Sequence, residues 1–179
     1  VRIFNMDAED EGEEGEELQM ANLRGHRSPV LCVAWRSDGW RLASGSADRD
    51  IRVWDPYTKT VVVKLTEHAS HITALAWPPH GRYLASGSSD KTVRNWDADP
   101  KAFAVELMQL TGHTADVNGL SWSPDAKVVA TVGDETIRLW YPYPKRCALA
   151  VLTGHTGLIR AISWLPPVPR EAPERPDSA

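Results

Sequence analysis

Cysteine is scarce in these 179 residues: Cys32 and Cys147 are the only two, and no Cys-x-x-Cys pair occurs. That argues against a disulfide framework or a cysteine-built zinc site and favours a reducing compartment, cytosol or nucleus. Long apolar runs are missing too. No stretch approaches the roughly 18 residues a membrane-spanning helix needs, and the mean hydropathy is −0.37. Acidic residues crowd the place where a secretory signal would carry its apolar centre. There is no Gly-rich phosphate loop. Of six histidines, only His71 and His80 fall outside a repeated position, which is poor material for a zinc site's three or four ligands. No metal and no cofactor is expected.

What the chain does have is unevenly spread. Residues 7–17, DAEDEGEEGEE, hold eight acids and no base, so the rest carries 20 bases against 16 acids. The net charge of −4 is therefore one acidic insert on a mildly basic body. Such an insert is a solvated loop or an electrostatic contact for a basic partner. A body charge of about +4, with its aromatic residues committed elsewhere, gives little support to nucleic-acid binding.

The eight tryptophans are ordered. Trp35, Trp77, Trp122 and Trp164 are spaced 42, 45 and 42 residues apart, and Trp54, Trp96 and Trp140 by 42 and 44. His26, His68, His113 and His155 keep the same register. Self-similarity at this period marks a repeat architecture, each unit of which buries its apolar face on the next. Short β-branched and apolar runs recur in every unit: VLCVAW, ITALAW, VNGLSW and LIRAISW; then RLASGS, YLASGS and VVATV; then DIRVW, TVRNW and TIRLW; then TVVVKL, VELMQL and CALAVL. Turn-forming clusters such as SDG, PPHG and SPDA separate them, which predicts four strands per unit on short connections.

Polar residues recur at fixed offsets as well: His26, Ser44, Asp48 and Trp54; His68, Ser86, Asp90 and Trp96; His113, Thr131, Asp134 and Trp140. Ser, His and Asp together invite a hydrolase reading. An enzyme needs one nucleophile in one cleft, however, and this set recurs three times with an indole donor each time. A buried chain of hydrogen bonds from indole to hydroxyl to imidazole to carboxylate fits better. Catalytic residues are therefore not assigned. Arg52, Arg94 and Arg138, four places after each Asp, read as solvated outward side chains.

Gly25-His26 to Trp54-Asp55, Glu67-His68 to Trp96-Asp97 and Gly112-His113 to Trp140-Tyr141 resemble the WD-repeat family of β-propellers, in which a repeat of ~40–45 residues supplies one four-stranded blade. The resemblance implies an all-β propeller with three complete blades over 24–66, 67–111 and 112–153. Residues 1–23, with Phe4 in the tryptophan place, read as the last strands of a preceding blade that carries the acidic insert. Residues 154–164 read as the first strand of a further blade, and 165–179, rich in proline, as a disordered tail. Together these imply a piece of a longer ring, of seven blades, whose incompleteness invites self-association.

The resemblance further implies an intracellular, non-catalytic scaffold that docks peptides or protein domains within a complex; an adaptor or substrate receptor of a ubiquitin ligase is the alternative. Many such receptors show Trp-Asp-x-Arg, whereas here Trp54-Asp55 precedes Pro56-Tyr57 and Trp96-Asp97 precedes Ala98-Asp99. The family's usual contact places map onto Pro29, Leu31 and Ala47; His71, Thr73 and Ser89; Asp116, Asn118 and Gly133; and Leu158 and Arg160. Leu31 reads equally well as a core residue of its strand.

Overall fold

Alternating β-branched runs separated by turn residues can satisfy their backbone only by pairing with one another, and that pairing is what the chain adopts. The computed structural model describes residues 1–4, 19–99, 106–142 and 147–165, and every regular element among them is a strand. Blade 1 comprises β3 (Val30–Trp35), β4 (Leu42–Ser46), β5 (Ile51–Asp55) and β6 (Thr60–Leu65). Blade 2 is β7 (Ile72–Ala76), β8 (Tyr83–Ser88), β9 (Val93–Asp97) and β10 (Glu106–Leu110). Blade 3 is β11 (Gly119–Trp122), β12 (Val129–Val132), β13 (Ile137–Tyr141) and β14 (Cys147–Leu152). Each is an antiparallel meander in chain order. Ahead of them β1 (Arg2–Phe4) pairs with β2 (Gln19–Asn22) as a two-stranded sheet.

The core lies between sheets. Ala43, Ile51, Val53, Val63 and Leu65 of blade 1 meet Ile72, Leu75, Trp77 and Leu84 of blade 2. Val93, Met108 and Leu110 of blade 2 likewise meet Val117 and Trp140 of blade 3. The two-stranded sheet packs Ile3, Ala21 and Leu23 on Leu42 and Trp54. The first-strand tryptophans stitch neighbours together. Trp77 Nε1 donates to the Ala34 carbonyl and Trp122 Nε1 to that of Ala76, both at 3.1 Å, and Trp164 Nε1 donates to that of Ser121 at 3.0 Å. In each case the acceptor is the residue just before the equivalent tryptophan one blade back.

Close approach near the inner strands depends on small residues. Cross-strand pairs there are Cys32 with Gly45, Ala74 with Gly87 and Gly119 with Val132. A Cβ on Gly87 would lie 2.6 Å from Val117 Cγ1 of the next blade. Blade 3 reverses the arrangement: Val132 takes the volume and Gly119 gives way to it, its would-be Cβ 2.9 Å from Val132 Cγ2.

One expected element is absent. Residues 158–164 form no strand, although Ile159 N–H reaches the Asp134 carbonyl at 3.1 Å and Trp164 is tied to Ser121. A strand needs a ladder partner, and among the described residues none pairs with 158–164. The acidic stretch 7–17 and residues 166–179 lie outside the described residues.

Candidate protein-binding face

The connection entering each blade, which bears the repeat histidine, and the turn between its second and third strands, which bears the repeat aspartate, emerge at the same end of the strands. Buried polar chains join the two. In blade 1, Trp54 Nε1 donates to Ser44 Oγ at 2.7 Å, His26 Nε2 lies 2.7 Å from the same oxygen, and His26 Nδ1 lies 3.0 Å from Asp48 Oδ2. An ionised carboxylate can only accept, so the neutral ring carries its proton on Nδ1 and takes the serine proton's hydrogen bond at Nε2. Blade 2 repeats this with Trp96, Ser86, His68 and Asp90, each step 2.8 Å. In blade 3, Trp140 and His113 meet Thr131 Oγ1 at 2.8 Å, but His113 Nδ1, 3.2 Å from Asp134, makes an ion-pair contact without hydrogen-bond geometry. The turn in blade 3 is one residue shorter, yet it still brings Thr131 and Asp134 to the same histidine.

The aspartates also clamp backbone. Asp48 accepts the N–H groups of Arg27 and Asp50, Asp90 those of Ala69 and Thr92, and Asp134 those of Thr114 and Thr136. Burial pushes the Asp48 carboxyl up, but donation from Arg27, His26 and Asp50 outweighs it and leaves the group at about 2. Asp90 is likewise held at about 2 against burial, by Thr92, His68 and Ala69. Asp134 is depressed further by Thr136 and Thr114, again against burial. Burial lowers the His68 and His113 imidazoles, and their aspartates only partly offset it.

A nucleophile must be reached by its substrate. Ser44, Ser86 and Thr131 are 0 % exposed, and each already receives an indole hydrogen bond. Cys32 is no better placed: burial drives its thiol up to about 12 despite the Gly45 N–H.

Around these chains the positions singled out in the sequence divide. Pro29, His71, Asp116, Leu158 and Arg160 are exposed, while Ala47, Thr73, Ser89 and Asn118 are half-buried. Ala47 N–H donates to the Pro29 carbonyl and Ser89 N–H to that of His71, each joining the two loops of one blade. Ser89 Oγ donates to Asp116 Oδ2 at 2.8 Å and bridges blades 2 and 3. Thr73 Oγ1 turns inward to the Gly87 and Val117 carbonyls, and Asn118 Nδ2 to that of Gly133 at 3.4 Å. Gly133 is buried, with no room for a Cβ against the Asp116 carbonyl. Leu31 is 50 % exposed and shares a sheet face with Val33 and Trp35.

The arginines read as solvated are not. The Arg52 and Arg94 side chains are 14 % and 13 % exposed, and a Cβ on Gly25 or Gly112 would collide with Arg52 or Arg138. These residues share a strand face with the repeat tryptophan two places on, which tucks the guanidinium beneath the Gly-His pair. In blade 2, where Glu67 replaces that glycine, Arg94 binds Glu106.

Four-stranded antiparallel blades, stacked face to face and braced by these polar chains, define a WD-type β-propeller arc. The chain belongs to the WD-repeat family: the model for "WD domain, G-beta repeat" matches residues 17–55, 59–97 and 104–141. Each match runs from the outer strand of one sheet through the three inner strands of the next. THO complex subunit 3 of Arabidopsis thaliana is 32% identical over 138 residues, 75% of this chain and 30% of that protein. Protein HIRA of Oryza sativa subsp. japonica is 31% identical over 144 residues, 78% of this chain and 12% of that protein. The chain thus spans under a third of either relative. Among solved structures, that of U3-55K matches with a TM-score of 0.75 at 24% identity, covering 80% of this chain and 45% of that one. No helix among the described residues is long and apolar enough to cross a membrane.

Proposed function

We propose that the chain is a non-catalytic, intracellular docking platform that holds a peptide or protein domain against the loops bearing the repeat histidines and aspartates, within a multiprotein complex. One observation carries this reading. Buried polar chains, hydrogen-bonded throughout in blades 1 and 2 and closed in blade 3 by the His113–Asp134 ion-pair contact, tie those loops to the blades, so a partner meets a surface that is already ordered and little entropy is lost in the scaffold on binding. The relatives support it: one is by name a subunit of a complex. Exposed His71, Asp116 and Arg160 mix charge and polarity, which suits a mixed peptide surface better than a nucleic-acid backbone. The acidic residues 7–17 add a contact for a basic partner.

The test is affinity capture from extract with the full chain and with a His71→Glu, Asp116→Arg, Arg160→Glu variant. Proteins that depend on these side chains are expected to be lost from the variant; retention of every captured protein would overturn the assignment. A serine-reactive fluorophosphonate should leave the chain unlabelled. Labelling that disappears in Ser44→Ala would make it a hydrolase instead.

A further inference from the structure

Asn95 breaks the repeat. The equivalent residue of the third strand is Val53 in blade 1 and Leu139 in blade 3, and all three pair with a buried alanine on the second strand. Asn95 is 2 % exposed, and neither its Oδ1 nor its Nδ2 has a hydrogen-bond partner. Asparagine is disfavoured in strands, and a buried amide left unpaired is costly, so such a group calls for an explanation. It lies in the wall of a cavity of about 180 Å³ between blades 2 and 3, whose apolar lining comes from Pro78, Trp122, Ala126 and Pro142. The cavity opens at the end of the strands opposite the loop face described above.

We propose that this cavity is a second peptide-binding site, taking one apolar side chain of a partner with its adjoining peptide group paired to Asn95. A carboxamide presents one acceptor and one N–H donor side by side, and a peptide group presents the complementary N–H and C=O. Flat apolar walls suit an aliphatic side chain. A nucleotide fits less well, because the charge of the lining arginine, Arg82, is already paired with the Asp97 carboxylate. The site is independent of the opposite face, so either assignment can fail without the other.

The experiment titrates the full chain with N-acetyl-leucine methylamide and follows the Asn95 side-chain amide and Trp122 indole resonances by NMR. Saturable shifts at both are expected. Asn95→Val, which installs the residue blade 1 carries at this place, should weaken binding about 10–30-fold, the worth of the two hydrogen bonds it removes. It should also raise the melting temperature. Ala126→Leu keeps Asn95 but fills the cavity and should abolish the shifts. No saturable shift in the unaltered chain, or equal binding by Asn95→Val, would overturn the proposal and leave Asn95 a hydrated core residue.

Discussion

Ser86 carries two buried neighbours on one hydroxyl. Its oxygen accepts from Trp96 and its proton serves His68, so Ser86→Ala strands an indole N–H and an imidazole nitrogen together. We expect a loss of about 1–3 kcal/mol in urea unfolding, largely restored by Ser86→Thr because Thr131 does the same work in blade 3. Protonation attacks the same chains. His68 and His113 have lowered folded-state pKa values, so the unfolded chain binds their protons first. Stability should therefore fall as pH drops below about 6.5, the unfolded histidine value. Asp48 and Asp90, held at about 2, add stability that is complete above the unfolded value near ~3.9 and is lost as pH falls from there toward 2. A melting-temperature profile with two descending limbs checks both. At a turn, Ala126 holds φ +58° where the other blades place Gly39 and Gly81. Ala126→Gly should stabilise by about 0.5–1 kcal/mol in the same assay, as relief of left-handed strain outweighs the added chain entropy.

At the level of strands and sheets, Gly87 sets how closely blade 3 can approach. Adding its Cβ would drive it into Val117, and Gly87→Ala should cost about 1–3 kcal/mol. Coupled with Val117→Ala, which opens that space, the two losses should sum to less than their parts in a double-mutant cycle. The strands themselves were plain in the sequence, because alternation and turn chemistry are local signals. So was the chemistry of each polar chain, since its members recur at fixed offsets. Pairing was not local: 158–164 has the composition of a strand but, among the described residues, no partner strand. Arg52 looked solvated because nothing in a linear pattern tells that the Gly-His pair folds over it. Asn95 could have been found, for aligning the three repeats places it against Val53 and Leu139, but its isolation becomes visible only with the surrounding walls.

Across the whole molecule, the first strands of blades 1 and 2 differ in exposure among the described residues. Leu31, Val33 and Trp35 are 50 %, 52 % and 46 % exposed, whereas the matching Leu75 and Trp77 pack on blade 1. The central claim, that repeated indole, imidazole and carboxylate groups brace the blades from within, is tested most directly by hydrogen exchange at the indole nitrogens. Trp54, Trp96 and Trp140 should exchange only on global unfolding, while exposed Trp40 exchanges freely. If the three buried indoles lost their protons as fast as Trp40, the bracing would be absent and the pre-ordered platform with it.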